Sequence, residues 1–244
     1  MQLSKRLNSV ASLVTPNNRV ADVGCDHAYT SIFLVEQKRV PFVIAMDINE
    51  GPLERARENI KRSGYEQFID VRRSNGLQKL EAEEVDTILI AGMGGRLMVQ
   101  ILLERLDVLS NVRELVLQPQ SEIHLVRQMV KECGFVITNE NMVIEEDKYY
   151  VMMKAENLIY HKEDMGKYDL IEVEHYYFGR LLLEQRHPIL LEYLEKERKQ
   201  CDKIYNILIA EPTEKSLIRQ NEIMEKTELI KNGLHYFETR EKEV

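Results

Sequence analysis

Apolar positions along the first two thirds of the chain follow two alternating patterns: short unbroken runs, and longer segments with the three-to-four spacing of a helix. Residues 2–14 carry Leu3, Leu7, Val10, Leu13 and Val14 at helical spacing and stop before the Thr15-Pro16-Asn17-Asn18 turn. Residues 20–23 are a short apolar run that turns at Gly24, and a helix is expected over 29–38 with Ile32, Phe33 and Val35 inward. A second run, 42–46, ends in Asp47, and 53–63 reads as a helix with Leu53, Ala56 and Ile60 on one face and Gly64 as its stop. Further strands are expected over 68–71, 85–91 and 115–117, and helices over 96–106 and 122–133. Unbroken apolar runs suit strands covered on both faces, as in a parallel sheet. From Gly134 the pattern changes to two β-rich runs, 135–145 and 149–155, joined by Glu146-Asp147-Lys148 as a hairpin. The order predicts an α/β chain: a doubly wound, mostly parallel sheet with helices on both faces and a terminal antiparallel hairpin. Ligands in such sheets bind outside the carboxyl ends of the strands. Gly24, Asp47, Asn75 and Gly92 all fall there.

Residues 156–174 are polar, include Gly166, and read as an irregular connection. From 174 to 231 the period is helical throughout, carried by Leu181, Leu182, Ile189, Leu190, Tyr193, Leu194, Ile204, Leu208 and Ile209 and resuming at Leu217. Glu211-Pro212-Thr213 interrupts it, because proline disfavours helix in the residue before it. Thr213 and Ser216 are placed to cap a further helix, with Gly233 as its stop. This predicts a C-terminal α-helical hairpin of coiled-coil-like character. The expected domains are 1–160 for the sheet and 161–244 for the hairpin.

Composition narrows the class without naming an activity. The chain has 244 residues, 44% hydrophobic and 30% charged, which is ordinary for a soluble protein. No run approaches the roughly 18–20 apolar residues a membrane span needs, and the N-terminus lacks the apolar core of a signal peptide. Cys25, Cys133 and Cys201 are odd in number and widely separated, with neither metal-ligand spacing nor a disulfide framework. A cytoplasmic protein is expected, with no membrane and no metal among its partners. The net charge of −8 argues against a general nucleic-acid binder but leaves room for a local basic face.

The chemistry concentrates after residue 20. A dinucleotide fingerprint would place glycines at G-x-G-x-x-G offsets, whereas this chain carries Asp26 and Tyr29 there. A carboxylate in that loop repels a pyrophosphate and suits a ligand carrying positive charge. Asp47, at the end of the second strand, is placed to accept hydrogen bonds from ribose hydroxyls; the alternative is a helix N-cap. Asn75 is placed to meet an adenine ring, or simply forms an Asn-Gly turn. Asp22 either contacts the ligand or fixes the loop by hydrogen bonds. Cys25 reads as a small apolar residue under the loop, since no histidine–asparagine constellation accompanies it.

Asp22-Val23-Gly24-Cys25-Asp26, Met46-Asp47-Ile48-Asn49, Ser74-Asn75-Gly76 and Gly92-Met93-Gly94-Gly95 resemble the successive motifs of class I S-adenosylmethionine-dependent methyltransferases. More narrowly, Asp26-His27-Ala28-Tyr29, Ile90 to Gly95 and Leu117-Gln118-Pro119-Gln120 resemble the bacterial tRNA (adenine22-N1)-methyltransferase family. Tyr177-Phe178-Gly179 and the Leu-rich helix after it extend the resemblance over nearly the whole chain. It implies a Rossmann-like S-adenosylmethionine-binding domain, a tRNA-recognition role for the helical hairpin, and methyl transfer to N1 of adenine 22 in tRNA. Asn75 departs from the pattern, where an aspartate is more usual.

S-adenosylmethionine is net cationic, which agrees with the acidic loop. The cofactor-binding residues implied are Asp22, Gly24, Cys25, Asp47, Ile48, Asn49, Asn75, Gly76, Ala91, Gly92, Met93 and Gly94. Adenine N1 has a free lone pair and attacks without prior deprotonation, so alignment and stabilisation of a cationic product are what catalysis requires. Asp26 is expected to orient the adenine, Tyr29 to stack on it or hydrogen-bond, and His27 to assist proton handling; Tyr29 as a packing aromatic and His27 as a loop lining are the alternatives. No Asn/Asp-Pro-Pro-aromatic segment follows the fourth strand, which favours a ring nitrogen over an exocyclic amine. Lys5, Arg6, Arg72, Arg73 and Arg96 are expected to guide RNA phosphates, and the target base to be extruded to reach the pocket. Two other functions stay open: methylation of a small molecule or protein, with the hairpin as lid or dimer contact, and a non-catalytic cofactor-binding module. A monomer or weak homodimer is expected.

Overall fold

The computed structural model describes residues 2–160, 168–210 and 213–238. The chain divides into two compact units, Met1–Asp169 and Leu170–Val244.

In the first unit seven strands form one sheet in the order β3-β2-β1-β4-β5-β7-β6. The strands are β1 Val20–Val23, β2 Val43–Asp47, β3 Ile69–Arg73, β4 Thr87–Met93, β5 Glu114–Pro119, β6 Phe135–Glu145 and β7 Lys148–Asn157. The first five pair in parallel, and β7 runs antiparallel between β5 and β6. Glu146 and Asp147 close the β6–β7 hairpin at φ 50° and 59°. Two consecutive left-handed residues match the twist of paired strands, so this short turn sets the register of the last pair. The apolar runs fill the interior: Val20, Ala21, Ile44, Ala45, Ile88, Leu115 and Val116 have no exposed surface.

Helix α1, Lys5–Leu13, is capped by Ser4, whose Oγ accepts from the Leu7 N–H at 3.3 Å. It packs against β6, β7 and helix α2, Tyr29–Glu36. Helix α3, Glu50–Ser63, ends at Gly64 in the left-handed conformation, as its stop signal predicts. The single helix expected over 96–106 is instead two, α4 Gly95–Leu103 and α5 Leu106–Leu109. Arg105 leaves the helical region at φ −134°. Its Nη1 donates to the carbonyls of Leu77 and Gln78 at 3.1 Å each, a tether that competes with helix continuation. Helix α6, Ile123–Glu132, buries Arg127. That guanidinium donates through Nε and Nη2 to Glu140 Oε1 at 2.9 and 2.8 Å.

The second unit begins with a π-helical turn, His175–Gly179, followed by α7 Arg180–Glu184, α8 Pro188–Ala210 and α9 Glu214–Glu238. The start of α9 is a reciprocal cap: the Ser216 N–H donates to Thr213 Oγ1 at 3.1 Å and the Thr213 N–H to Ser216 Oγ at 2.7 Å. Ser216, Ile223 and Ile230 are buried at a strict seven-residue interval, and α8 buries Leu190, Leu194 and Cys201. That interval is the seam of an antiparallel coiled-coil-like pair. Gly233 does not end the helix. A Cβ there would lie 2.9 Å from the Phe178 ring and 3.3 Å from Leu194, so the glycine admits a close crossing. Glu211, Pro212 and Gly166 lie outside the described residues.

Candidate active site

The strand order reverses direction at β1, between β2 and β4, and a cavity of about 430 Å³ opens there at the carboxyl ends. Its size falls within the ~300–1,000 Å³ of ordinary small-molecule sites. Two glycines make the opening. Gly24 has φ 74°, and a Cβ on it would strike the Met93 side-chain methyl. The Gly24 and Cys25 N–H groups donate to the Met46 carbonyl at 2.8 and 2.9 Å, which pins the turn to β2. Gly92 has φ 83° and faces Arg6 and Gln120.

Three carboxylates line this cavity: Asp22, Asp26 and Asp47. Asp22 is buried at the end of β1 and accepts from Ser31 Oγ at 2.6 Å. The N-cap of α2 is Ala28, which has no polar side chain, so Asp22 supplies from β1 the acceptor that an N-terminal cap would provide. Burial pushes the Asp22 carboxyl up to about 6, with the Ser31 hydrogen bonds opposing and the Asp47 charge adding to the rise. The hydrogen bond to Ser31 bears out the reading of Asp22 as a residue that fixes the loop, and its carboxyl also lines the cavity. Asp47 Oδ1 accepts from the Asn49 N–H at 2.9 Å, which orients the carboxylate at the rim. The N-cap of α3 is Asn49, not Asp47.

The loop 25–28 is strained, with Asp26 at φ 52° and Ala28 at φ 58°. Left-handed non-glycine residues cost energy and cluster at functional sites. The conformation projects the Asp26 side chain, 71% exposed, beside His27, with 3.5 Å between Oδ1 and Nε2. The His27 and Tyr29 rings meet edge-on at 5.7 Å between centroids, and Tyr29 is 42% exposed. Asn59 Nδ2 holds the His27 carbonyl at 3.1 Å. Cys25 is buried, and its thiol is pushed up by burial, with Asp22, Asp47 and Asp26 adding to the effect. It stays protonated and is no nucleophile.

Of the residues expected to bind a cofactor, Asp22, Gly24, Cys25, Asp47, Asn49, Ala91, Gly92 and Met93 line the cavity together with Asp26, His27 and Tyr29. Ile48 is exposed beside it, and Gly94 faces Ser121. Asn75 is exposed at an Asn-Gly turn outside the lining, and Gly76 is buried under Ile101. The expected basic guides differ in their surroundings. Arg72 is held by Asp70 and Glu84 at 2.9 and 2.7 Å, which raises its pKa, and Arg96 is paired with Glu122. Arg73 Nε donates to the Ile48 carbonyl at 3.1 Å, while Lys5 is exposed. Arg6 turns inward and lines the cavity. The sequence reading gave no site role to Leu7, Thr30, Pro52 and Gln120 of the lining. Gln120 had a signal, lying just past the carboxyl end of β5.

A sheet of this order, with a reversed seventh strand and an acidic, glycine-opened cleft at β1 and β4, defines a methyltransferase domain, and the methyltransferase domain family matches residues 3–153. A tRNA (adenine(22)-N(1))-methyltransferase of Bacillus subtilis is 30% identical over 238 residues, 97% of this chain and 98% of its own length. The crystal structure of the B. subtilis M1A22 tRNA methyltransferase TrmK superposes with a TM-score of 0.84 at 29% identity, covering 96% of this chain and 99% of that one. M. capricolum TrmK, in complex with the cofactor product S-adenosyl-homocysteine, gives 0.81 at 26% identity over 97% and 99%. The chain belongs to the tRNA (adenine(22)-N(1))-methyltransferase family.

Proposed function

We propose that the chain transfers a methyl group from S-adenosylmethionine to N1 of adenine 22 in tRNA. The observation that carries this is the cavity itself: three carboxylates, two positive-φ glycines and a single guanidinium at the switch point of the sheet. That donor set fits a ligand with a sulfonium, an ammonium, ribose hydroxyls and one carboxylate, and it does not fit a pyrophosphate. The cofactor, when bound, supplies an electrophilic methyl group.

The chain's own residues do the rest. Asp22 offers negative charge toward the ammonium, and Asp47 accepts from the ribose hydroxyls. The exposed face of Tyr29 supports the extruded adenine, and Asp26 orients it and stabilises the positive charge that N1 methylation leaves on the ring. His27, within reach of Asp26, assists proton handling. The backbone at Gly24 and Gly92 lies against the methionine moiety, with Cys25, Asn49, Ala91 and Met93 completing the lining. Lys5 and Arg73, exposed and outside the ion pairs that engage Arg72 and Arg96, support an RNA-facing role near this cleft. The Leu170–Val244 unit carries tRNA recognition, a role supported by the B. subtilis relative matching over nearly its full length. Among the described residues no helix is long and apolar enough to cross a membrane, and no group of three or more His, Cys, Asp or Glu could hold a metal ion. The enzyme acts in the cytoplasm, where its substrate is, as a monomer or weak homodimer.

Incubation of the protein with tRNA and methyl-labelled cofactor should yield 1-methyladenosine by nucleoside mass spectrometry, and mass mapping of nuclease fragments should place it at position 22. Label recovered in a small molecule or protein would overturn the substrate assignment. Asp26→Ala should lower turnover by roughly 10²-fold with cofactor affinity nearly unchanged; normal turnover would remove Asp26 from the mechanism. Truncation after Asp169 should abolish transfer to tRNA while cofactor affinity persists, and full transfer by the truncated form would refute the recognition role.

A further inference from the structure

We propose that Arg6 is the anion anchor of the cofactor site: it holds the methionine carboxylate and so makes the enzyme prefer S-adenosylmethionine over its decarboxylated form. The inference rests on the cofactor reading above and assigns one residue to the one ligand charge still without a partner.

In sequence, Arg6 lies off the apolar stripe of its helix and is expected to guide RNA phosphates. In the fold, α1 packs across β6 and β7 and delivers the side chain to the end of β4. Apart from His27, Arg6 is the only basic residue in a lining that holds three carboxylates. Its guanidinium is held by neutral groups. Nη1 donates to Gln118 Oε1 at 2.7 Å, and the guanidinium carbon lies 5.4 Å from the centroid of the Tyr150 ring. Gln118 is fully buried, and its own Nε2 donates to the Pro119 carbonyl at 3.1 Å, so its amide is oriented with the acceptor toward Arg6. Where a side chain at Gly92 would begin, Nη1 is 3.5 Å away, so the glycine leaves the guanidinium open to the cavity.

No ion pair with another described residue neutralises Arg6, and Gln118 takes only one of its five N–H donors. A cation fixed beside the binding position of a cationic ligand is unfavourable unless it meets an anion. S-adenosylmethionine has a single anionic group, its carboxylate. An RNA phosphate has the same chemistry, but it would have to reach a guanidinium that is half-buried among Gly92, Met93 and Gln120 in a cavity holding three carboxylates, and a planar guanidinium matches a carboxylate through two parallel hydrogen bonds.

The test measures binding of S-adenosylmethionine and decarboxylated S-adenosylmethionine by calorimetry, with the wild-type chain and with Arg6→Gln and Arg6→Lys. The wild type should bind the intact cofactor roughly 10- to 100-fold more tightly. Arg6→Gln should bind the two equally, near the wild-type value for the decarboxylated ligand, and Arg6→Lys should recover part of the preference. tRNA affinity should be the same for all three proteins. The idea is overturned if the wild type binds both ligands equally, a result that needs no folded variant. It is equally overturned if Arg6→Gln keeps the preference, or weakens tRNA binding while cofactor affinity holds, which would mark Arg6 as a phosphate contact. Wild-type protein that binds neither ligand would sink the cofactor reading itself, and this proposal with it.

Discussion

Asp22 allows the electrostatics of the cleft to be tested without any substrate. Its carboxyl titrates near 6 in the folded protein because burial disfavours the charged form, against about 3.8 when the chain is unfolded. Between those values the folded state binds more protons than the unfolded state. The contribution of Asp22 to stability is therefore greatest below pH 3.8, falls as pH rises through the window, and levels off above about 6. A displacement of about two pKa units corresponds to about 3 kcal/mol. Asp22→Asn removes this contribution and sacrifices one of the acceptors that serve Ser31, a constant offset of about 1 kcal/mol. Urea unfolding of both proteins from pH 4 to 7 isolates the effect, since every other group titrates alike in the two. The difference in unfolding free energy should shift against the wild type by about 3 kcal/mol across the window. Saturating S-adenosylmethionine should flatten the slope, because a cationic ligand favours the ionised carboxylate. A difference constant with pH, or one of opposite sign, would refute the assignment of burial as the dominant cause.

Other perturbations separate backbone from packing effects. Gly24→Ala puts an L-residue at φ 74° and its Cβ against the Met93 methyl. It should cost about 1–2 kcal/mol in urea unfolding and, by pushing Met93 into the cavity, weaken cofactor binding at least ~10-fold by calorimetry. Glu140→Ala leaves the Arg127 guanidinium buried without its carboxylate and should cost about 3–5 kcal/mol by the same unfolding assay, with little change in cofactor affinity in any protein that still folds.

Much of the fold was legible because its signals are local. Apolar runs marked the buried strands, Gly64 marked a helix end, and Thr213 with Ser216 marked a helix start, each through chemistry confined to a few residues. The glycines and carboxylates at the strand ends were legible for the same reason: a β-to-α junction needs Gly24, and strand ends carry Asp47 and Gly92 into one cleft once the sheet is parallel. Gly233 misled because a glycine reads as a helix stop, whereas here it clears space for Phe178 across the helix pair.

What the sequence determined by itself was the alternation of elements, the acidic loop after β1 and the residue types at the strand ends. Only the tertiary structure decided which charges have partners within the protein. Arg72 and Arg96 looked like phosphate guides, yet each is engaged by carboxylates, Glu84 and Glu122, that lie 12 and 26 residues away. Arg6 looked like a surface cation, yet its direction depends on Gln118 and on Tyr150, the former 112 residues distant. A side chain's charge is written in the sequence, but its partners are set by strands that meet only when the sheet closes.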